Sequence, residues 1–205
     1  VTCPQLDVLV VDDGSTDRTA AVARAEGVTV AVLPFNLGVG GALQTGFRYA
    51  VSHGYGRAIQ FDADGQHDPS QVPALLAALD EGADLVIGSR FAAPEPGSEY
   101  DVGHLRGGAM GVLRLAVRIL SGRSFSDTSS GFRAFSAPLL DFYAAEYPNE
   151  YLGDTVEALL LACQAGFRVV EVPVSMRVRA AGTPSTQNLR LIYHYLRALL
   201  SLLSR

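Results

Sequence analysis

AIQFDADGQHDP, residues 58–69, is the stretch on which the reading of the whole chain turns. Ala58, Ile59 and Phe61 read as the end of a buried strand, with Gln60 interrupting the apolar run. Asp62 and Asp64 follow one residue apart, and Gly65 and Pro69 close the loop. In an extended segment residues i and i+2 project to the same side. Both carboxylates can therefore face one point, where they repel unless a cation lies between them. Oxygen ligands suit a hard divalent ion, Mg²⁺ or Mn²⁺, and Mg²⁺ keeps waters and shares substrate phosphates. The same letters also fit a polar loop capping the next helix, so the flanking sequence has to decide.

Working outward, the order of elements is regular. Leu6–Val11 is a short β-branched strand ending in DDGSTD, and Ser15 or Thr16 can cap a helix running to Glu26, closed by Gly27. Val28–Leu33 is a second strand. The glycine-rich loop PFNLGVGG, residues 34–41, leads to a helix over Ala42–His53. Arg57–Phe61 is the third strand, Ser70–Asp80 a helix behind Pro69, and Ala83–Gly88 a fourth strand. Strands alternating with helices predict a mostly parallel, doubly wound α/β sheet. Ligands in such sheets bind beyond the carboxyl ends of the strands. Asp12, Asp13, Asp62, Asp64, Ser89 and Arg90 all fall at such ends, and that shared address is the strongest sign of a site.

Beyond Arg90 the pattern changes. FAAPEPGSEY, residues 91–100, reads as a lid-like loop. Leu105–Leu120 has helical apolar spacing with Arg106, Arg114 and Arg118 between. Residues 124–135, SFSDTSSGFRAF, turn from polar to aromatic and basic. Pro138–Ala145 and Thr155–Ala165 read as helices, Phe167–Val178 as a strand broken by Pro173, and residues 180–185 as a loop. Leu189–Leu203 is a closing helix, apolar on more than one face, whose formal charges with that of the terminal Arg205 are all basic. That composition fits a helix lying in a membrane interface, and packing against the sheet or a partner fits it as well.

The whole chain bounds the answer. Its 205 residues, 48% hydrophobic and 18% charged, make one globular domain. A net charge of −5 argues against nucleic acid as a partner. Cys3 and Cys163 suggest reduced thiols, and no apolar run approaches the roughly 18 residues of a membrane span. The start, VTCPQLDV, lacks a signal peptide's basic region, so a cytoplasmic location is expected, with peripheral contact at the inner face of a membrane.

Six segments together resemble the inverting family 2 glycosyltransferases, most closely the branch of dolichol- and polyprenol-phosphate sugar synthases. They are VVDDGSTD (10–17), NLGVGGALQTGF (36–47), FDADGQHDP (61–69), GSRF (88–91), DTSSGFRAF (127–135) and GFRVVEVPVSMRVRAAG (166–182). The resemblance implies a GT-A fold over 1–205: a nucleotide-sugar and metal half over 1–91, an acceptor half over 92–185, and an amphipathic helix over 186–205. It implies a nucleoside-diphosphate sugar donor, Mg²⁺ or Mn²⁺, and a polyprenyl phosphate or other lipid-linked acceptor; self-association is left open. By resemblance, Val11 and Asp13 bind the nucleoside; Asp62, Ala63 and Asp64 the diphosphate. Asp62, Asp64 and Gln66 hold the metal, and Arg90 and Arg179 contact donor phosphates. Asp127 lies near the reacting centre. Two departures stand out. The family's opening strand, which walls the nucleoside pocket, is not matched, and Thr183, Pro184 and Ser185 stand where the polyprenol branch often has a lysine.

Departure of a nucleoside diphosphate builds charge on the β-phosphate, which a metal and fixed arginines can stabilise. An acceptor hydroxyl also needs a base, with Asp127 first and Asp154 second; an acceptor that is already a phosphate needs little or none. Asp127 could instead form an Asx-turn, Asp154 a helix cap, and the arginines surface pairs. His67 and His104 each lack a second histidine at ligand spacing and read as loop polarity. The glycines from 38 to 46 do not spell a dinucleotide fingerprint. A sugar nucleotidyltransferase is the rival enzyme class, and a non-catalytic sugar-nucleotide-binding protein the rival outside catalysis.

Overall fold

The computed structural model describes residues 5–92, 104–148 and 154–175. In chain order these form β1 (Leu9–Asp12), α1 (Thr19–Ala25), β2 (Thr29–Val32), α2 (Gly38–Ser52), β3 (Arg57–Gln60), a 3₁₀ turn (Pro69–Gln71) running into α3 (Val72–Asp80), β4 (Leu85–Ser89), α4 (His104–Ser121), β5 (Arg133–Ser136), α5 (Ala137–Glu146), α6 (Asp154–Gln164) and β6 (Val169–Pro173).

The α/β class and the alternation along the first half are as the sequence suggests, and the sheet is partly parallel. β1 and β2 pair parallel. A second sheet has the order β3-β5-β4-β6, with β4 and β6 parallel. Between β3 and β4 lies β5, antiparallel to both, with Arg133 opposite Gln60 on one side and Ile87 on the other. β5 comes from the segment 124–135, where no strand is evident in the sequence; only Arg133 to Ser136 are extended, too short a run to show a period of two.

β4 explains the layering. All five of its residues are buried, and they alternate between two cores. Leu85 and Ile87 join Phe47 of α2, Leu139 and Tyr143 of α5, and Leu159 of α6 on one face. Val86 joins Val72 and Leu75 of α3 and Phe132 on the other. A strand buried on both faces must be apolar throughout, which is why LVIG reads so clearly.

Several local expectations shift. The helix expected from Ala42 begins at Gly38: Asp13 Oδ1 and Oδ2 accept from the amides of Leu37 and Gly38, at 2.7 and 2.9 Å, and so cap it four residues earlier. At α1 it is Asp17, not Ser15 or Thr16, that accepts from the Thr19 amide. β3 stops at Gln60, and Phe61 is 41% exposed, not buried. β1 is half-buried apart from Asp12. No hydrogen-bonded ladder joins β1 to β3. Between them, over α2, lies a cavity of about 400 Å³ lined by Val11, Asp13, Gly46, Phe61 and Asp62 among others. Arg179, the loop at 180–185, the helix at Leu189–Leu203 and most of the lid segment lie outside the described residues.

Candidate active site

The loop after β3 is braced from beneath. The Asp62 amide donates to His67 Nδ1 at 3.0 Å, which leaves the ring proton on Nε2, 3.7 Å from Asp62 Oδ2. His67 is 4% exposed, stacked on Phe132 at 4.9 Å and edge-on to Phe61 at 5.3 Å. Burial lowers its pKa against the opposing pull of Asp62 and Asp64. The expectation of mere loop polarity is therefore corrected: His67 is a buried strut of the acidic loop. Asp64 Oδ1 accepts from the Gln66 amide at 3.0 Å, across Gly65 at φ +80°, a turn only glycine makes cheaply. Asp62, whose side chain is 50% exposed, lies over Gly131. A Cβ at Gly131 would stand 2.9 Å from Asp62 Oδ2.

The loop before β5 is closed. Arg90, at the end of β4, donates from Nε to Asp127 Oδ2 at 2.7 Å and from Nη2 to Oδ1 at 2.8 Å, and Nη2 also reaches Ser129 Oγ at 3.0 Å. The amide and hydroxyl of Ser129 donate to Asp127 as well, so the Asx-turn and the ion pair coexist. Asp127 is fully buried. Burial raises its pKa, but the Arg90 fork outweighs this and holds the carboxyl below its ordinary value. Glu171 of β6 supports the loop from behind, accepting from the amides of Ser126 and Asp127 at 2.8 Å and from Ser126 Oγ at 2.9 Å. Buried Arg133 binds the carbonyls of Ser130, Thr128 and Thr155, tying the same loop to the start of α6, which Asp154 opens.

The fold thus gathers Asp62, Ala63, Asp64, Gln66, Arg90 and Asp127 on one rim. β3 and β4 end there and antiparallel β5 begins there. Asp13 and Val11 face the rim across the cavity, which Asp13 shares with Asp62. Asp12, buried, closes the β1 turn by accepting from the Ser15 amide at 2.9 Å, and its pKa is lowered by its bonds to Ser15. Glu171 and His67 are the supporting residues that the sequence does not flag. One is a lone acid in an apolar run, and the other differs from loop polarity only by burial.

The model of glycosyl transferase family 2 matches residues 2–143. The chain belongs to this family. It is 37% identical over 187 residues to the undecaprenyl-phosphate mannosyltransferase of Micrococcus luteus, covering 87% of this chain and 75% of that one. It is 34% identical over 195 residues to the polyprenol monophosphomannose synthase of Mycolicibacterium smegmatis, covering 88% and 70%. The fold matches glucosyl-3-phosphoglycerate synthase from Mycobacterium tuberculosis, solved with Mn²⁺, uridine diphosphate and phosphoglyceric acid. There the TM-score is 0.73 at 23% identity, over 96% of this chain and 67% of that one. The family 2 protein described here is thus a glycosyltransferase of GT-A fold, similar to the polyprenol-phosphate branch. Among its described residues no helix is long and apolar enough to cross a membrane.

Proposed function

We propose that this glycosyltransferase moves a sugar, with inversion, from a nucleoside-diphosphate sugar to a polyprenyl phosphate, with Mg²⁺ or Mn²⁺ at Asp62, Asp64 and Gln66. The observation that carries the acceptor class is the state of Asp127. A base must have an available lone pair and a pKa near the working pH. Asp127 is buried, held bidentately by Arg90 and depressed in pKa. It suits the task of aiming Arg90, not of taking a proton. An acceptor whose attacking oxygen is already anionic needs no base, and a phosphate monoester is such an acceptor. The names of the two curated relatives support the same class.

The residues fit a hard cation. Asp62 and Asp64 offer only oxygen, on a loop within reach of solvent, and Gly131 leaves the Asp62 carboxylate its space. No three His, Cys, Asp or Glu side chains among the described residues close a full cage. A Mg²⁺-type ion needs none, because phosphates and water complete its shell. When bound, the ion would neutralise charge on the departing diphosphate. Arg90 would face the same charge with a planar fork fixed in place, and Arg179 takes that role from the resemblance alone. Val11 and Asp13 line the cavity that would take the nucleoside, although Asp13 also caps α2. Peripheral membrane contact through Leu189–Leu203 rests on the sequence.

The test is release of free nucleoside diphosphate from UDP- or GDP-sugars with Mn²⁺ and a polyprenyl phosphate. Release is expected only with metal and acceptor both present. Donor binding without release would instead favour a non-catalytic sugar-nucleotide-binding protein. Asp64→Ala should abolish Mn²⁺-dependent donor binding while the melting temperature stays put; parent-like donor affinity in that variant would remove the metal assignment.

A further inference from the structure

Arg114, on α4, has no role in the site so far. Its guanidinium carbon lies 5.1 Å from the centroid of Phe91, and that of Arg90 lies 5.3 Å from the same ring. Two cations therefore share one aromatic ring, immediately past the end of β4. Arg90 has its counter-charge in Asp127. Arg114 makes no ion pair or hydrogen bond among the described residues. Its Nε is the only buried side-chain nitrogen or oxygen among them without a hydrogen-bond partner. Buried polar atoms are nearly always paired, and each exception needs a cause. An aromatic face can hold a guanidinium in place, yet it offers nothing to the N–H groups in the guanidinium plane.

We propose that Arg114 is a phosphate-binding residue, whose guanidinium takes a phosphoryl group of a substrate beside Arg90. Arginine's planar fork matches two phosphate oxygens at once. Phe91, whose ring both guanidiniums share, holds the two cations together past the end of β4, beside the rim where phosphate charge gathers. The proposal rests on the reading of this rim as a glycosyl-transfer site. Two substrates carry the chemistry: the donor as a diphosphate and the acceptor as a monophosphate.

The experiment measures binding by calorimetry, using the 205-residue chain, with farnesyl phosphate alone and, separately, UDP or GDP with Mn²⁺. Arg114→Gln should weaken one of these ligands by about 10- to 100-fold, the scale of hydrogen bonds to a charged group. Loss confined to farnesyl phosphate assigns Arg114 to the acceptor, and loss confined to the nucleotide assigns it to the donor. Arg114→Lys keeps the charge without the fork and should lose severalfold in the same ligand, which serves as the test if Arg114→Gln does not fold. Unchanged affinity for both probes in a folded variant, or a parent that binds neither, overturns the proposal. Sugar transfer is assayed in parallel. A parent that binds phosphate without transferring sugar sinks the functional reading alone, whereas transfer with parent-like phosphate affinity in Arg114→Gln sinks the Arg114 assignment alone.

Discussion

The loop after β3 and the loop before β5 meet on one rim, and they are built in opposite ways. The first carries its acids outward: Asp62 is half exposed, its amide donates to His67 beneath, and Asp64 accepts from the Gln66 amide. The second turns its acid inward. Asp127 has no exposed surface, and Arg90, Ser129 and the Glu171-supported backbone surround it. The contrast separates two uses of a carboxylate. One within reach of solvent can change partners and hold a cation. One buried against an arginine has exchanged that freedom for position, and its charge serves the geometry of Arg90. Two aspartates that look alike in sequence therefore enter the proposed chemistry differently.

The sharpest way to break this contrast is Asp127→Ala. It would take the Asp127 carboxylate away from Arg90, whose side chain is only 16% exposed, and a stability loss of about 3–5 kcal/mol is expected. Chemical denaturation reads it, and a loss below about 1 kcal/mol would mean that the second loop is no more fixed than the first. The same pair sets an acid limit. A carboxyl held below its ordinary value contributes stability that is complete above that value, 3.8, and is lost as pH falls through the lower folded value. The Asp127 contribution should therefore vanish only in strong acid, and Asp127→Asn should flatten that part of the stability profile.

Glu171→Gln is the intermediate case. The amide side chain still offers one oxygen but loses the charge that gathers the amides of Ser126 and Asp127. A loss of about 1–3 kcal/mol is expected, with a fall in turnover as Arg90 loses its fixed aim. Parent-like turnover would show that Arg90 keeps its aim without the Glu171 charge.

Gly131→Ala sharpens the contrast from the other side. Its new Cβ would press on both carboxylate oxygens of Asp62, at 2.9 and 3.3 Å. Stability should change by less than about 1 kcal/mol, since the carboxylate can swing toward solvent. Mn²⁺-dependent donor affinity should nevertheless fall by about 10-fold, the scale of disturbing a ligand's support. An unchanged affinity would place the cation site away from Asp62.

Much of this was legible in the sequence because it rests on local rules. Period and punctuation gave β1 through β4 and their helices, and the D-x-D motif put Asp62 and Asp64 on one loop, although β3 stops at Gln60 and Ala63 and Asp64 form a turn, not an extended segment. Strand ends placed Arg90 beside them. Glu171, His67 and Arg114 were not legible, because a lone polar residue in an apolar run, a loop or a helix shows nothing of what lies across the fold. The start of α2 was missed for the same reason: the cap on Gly38 comes from Asp13, 25 positions earlier.

What the sequence determined by itself, then, is the α/β class, the family and the acids of the rim, since these follow from the alternation of strand and helix patterns and from motifs in order. Tertiary structure alone decided the role of the segment before β5. Its direction in the sheet is set by pairing with β3 and β4, and an antiparallel strand delivers its entrance, not its exit, to the rim where parallel strands end. That reversal brings Asp127 onto Arg90 and Gly131 under Asp62. No local pattern encodes it, because the partners lie 37 and 69 positions apart and meet only once the sheet has formed.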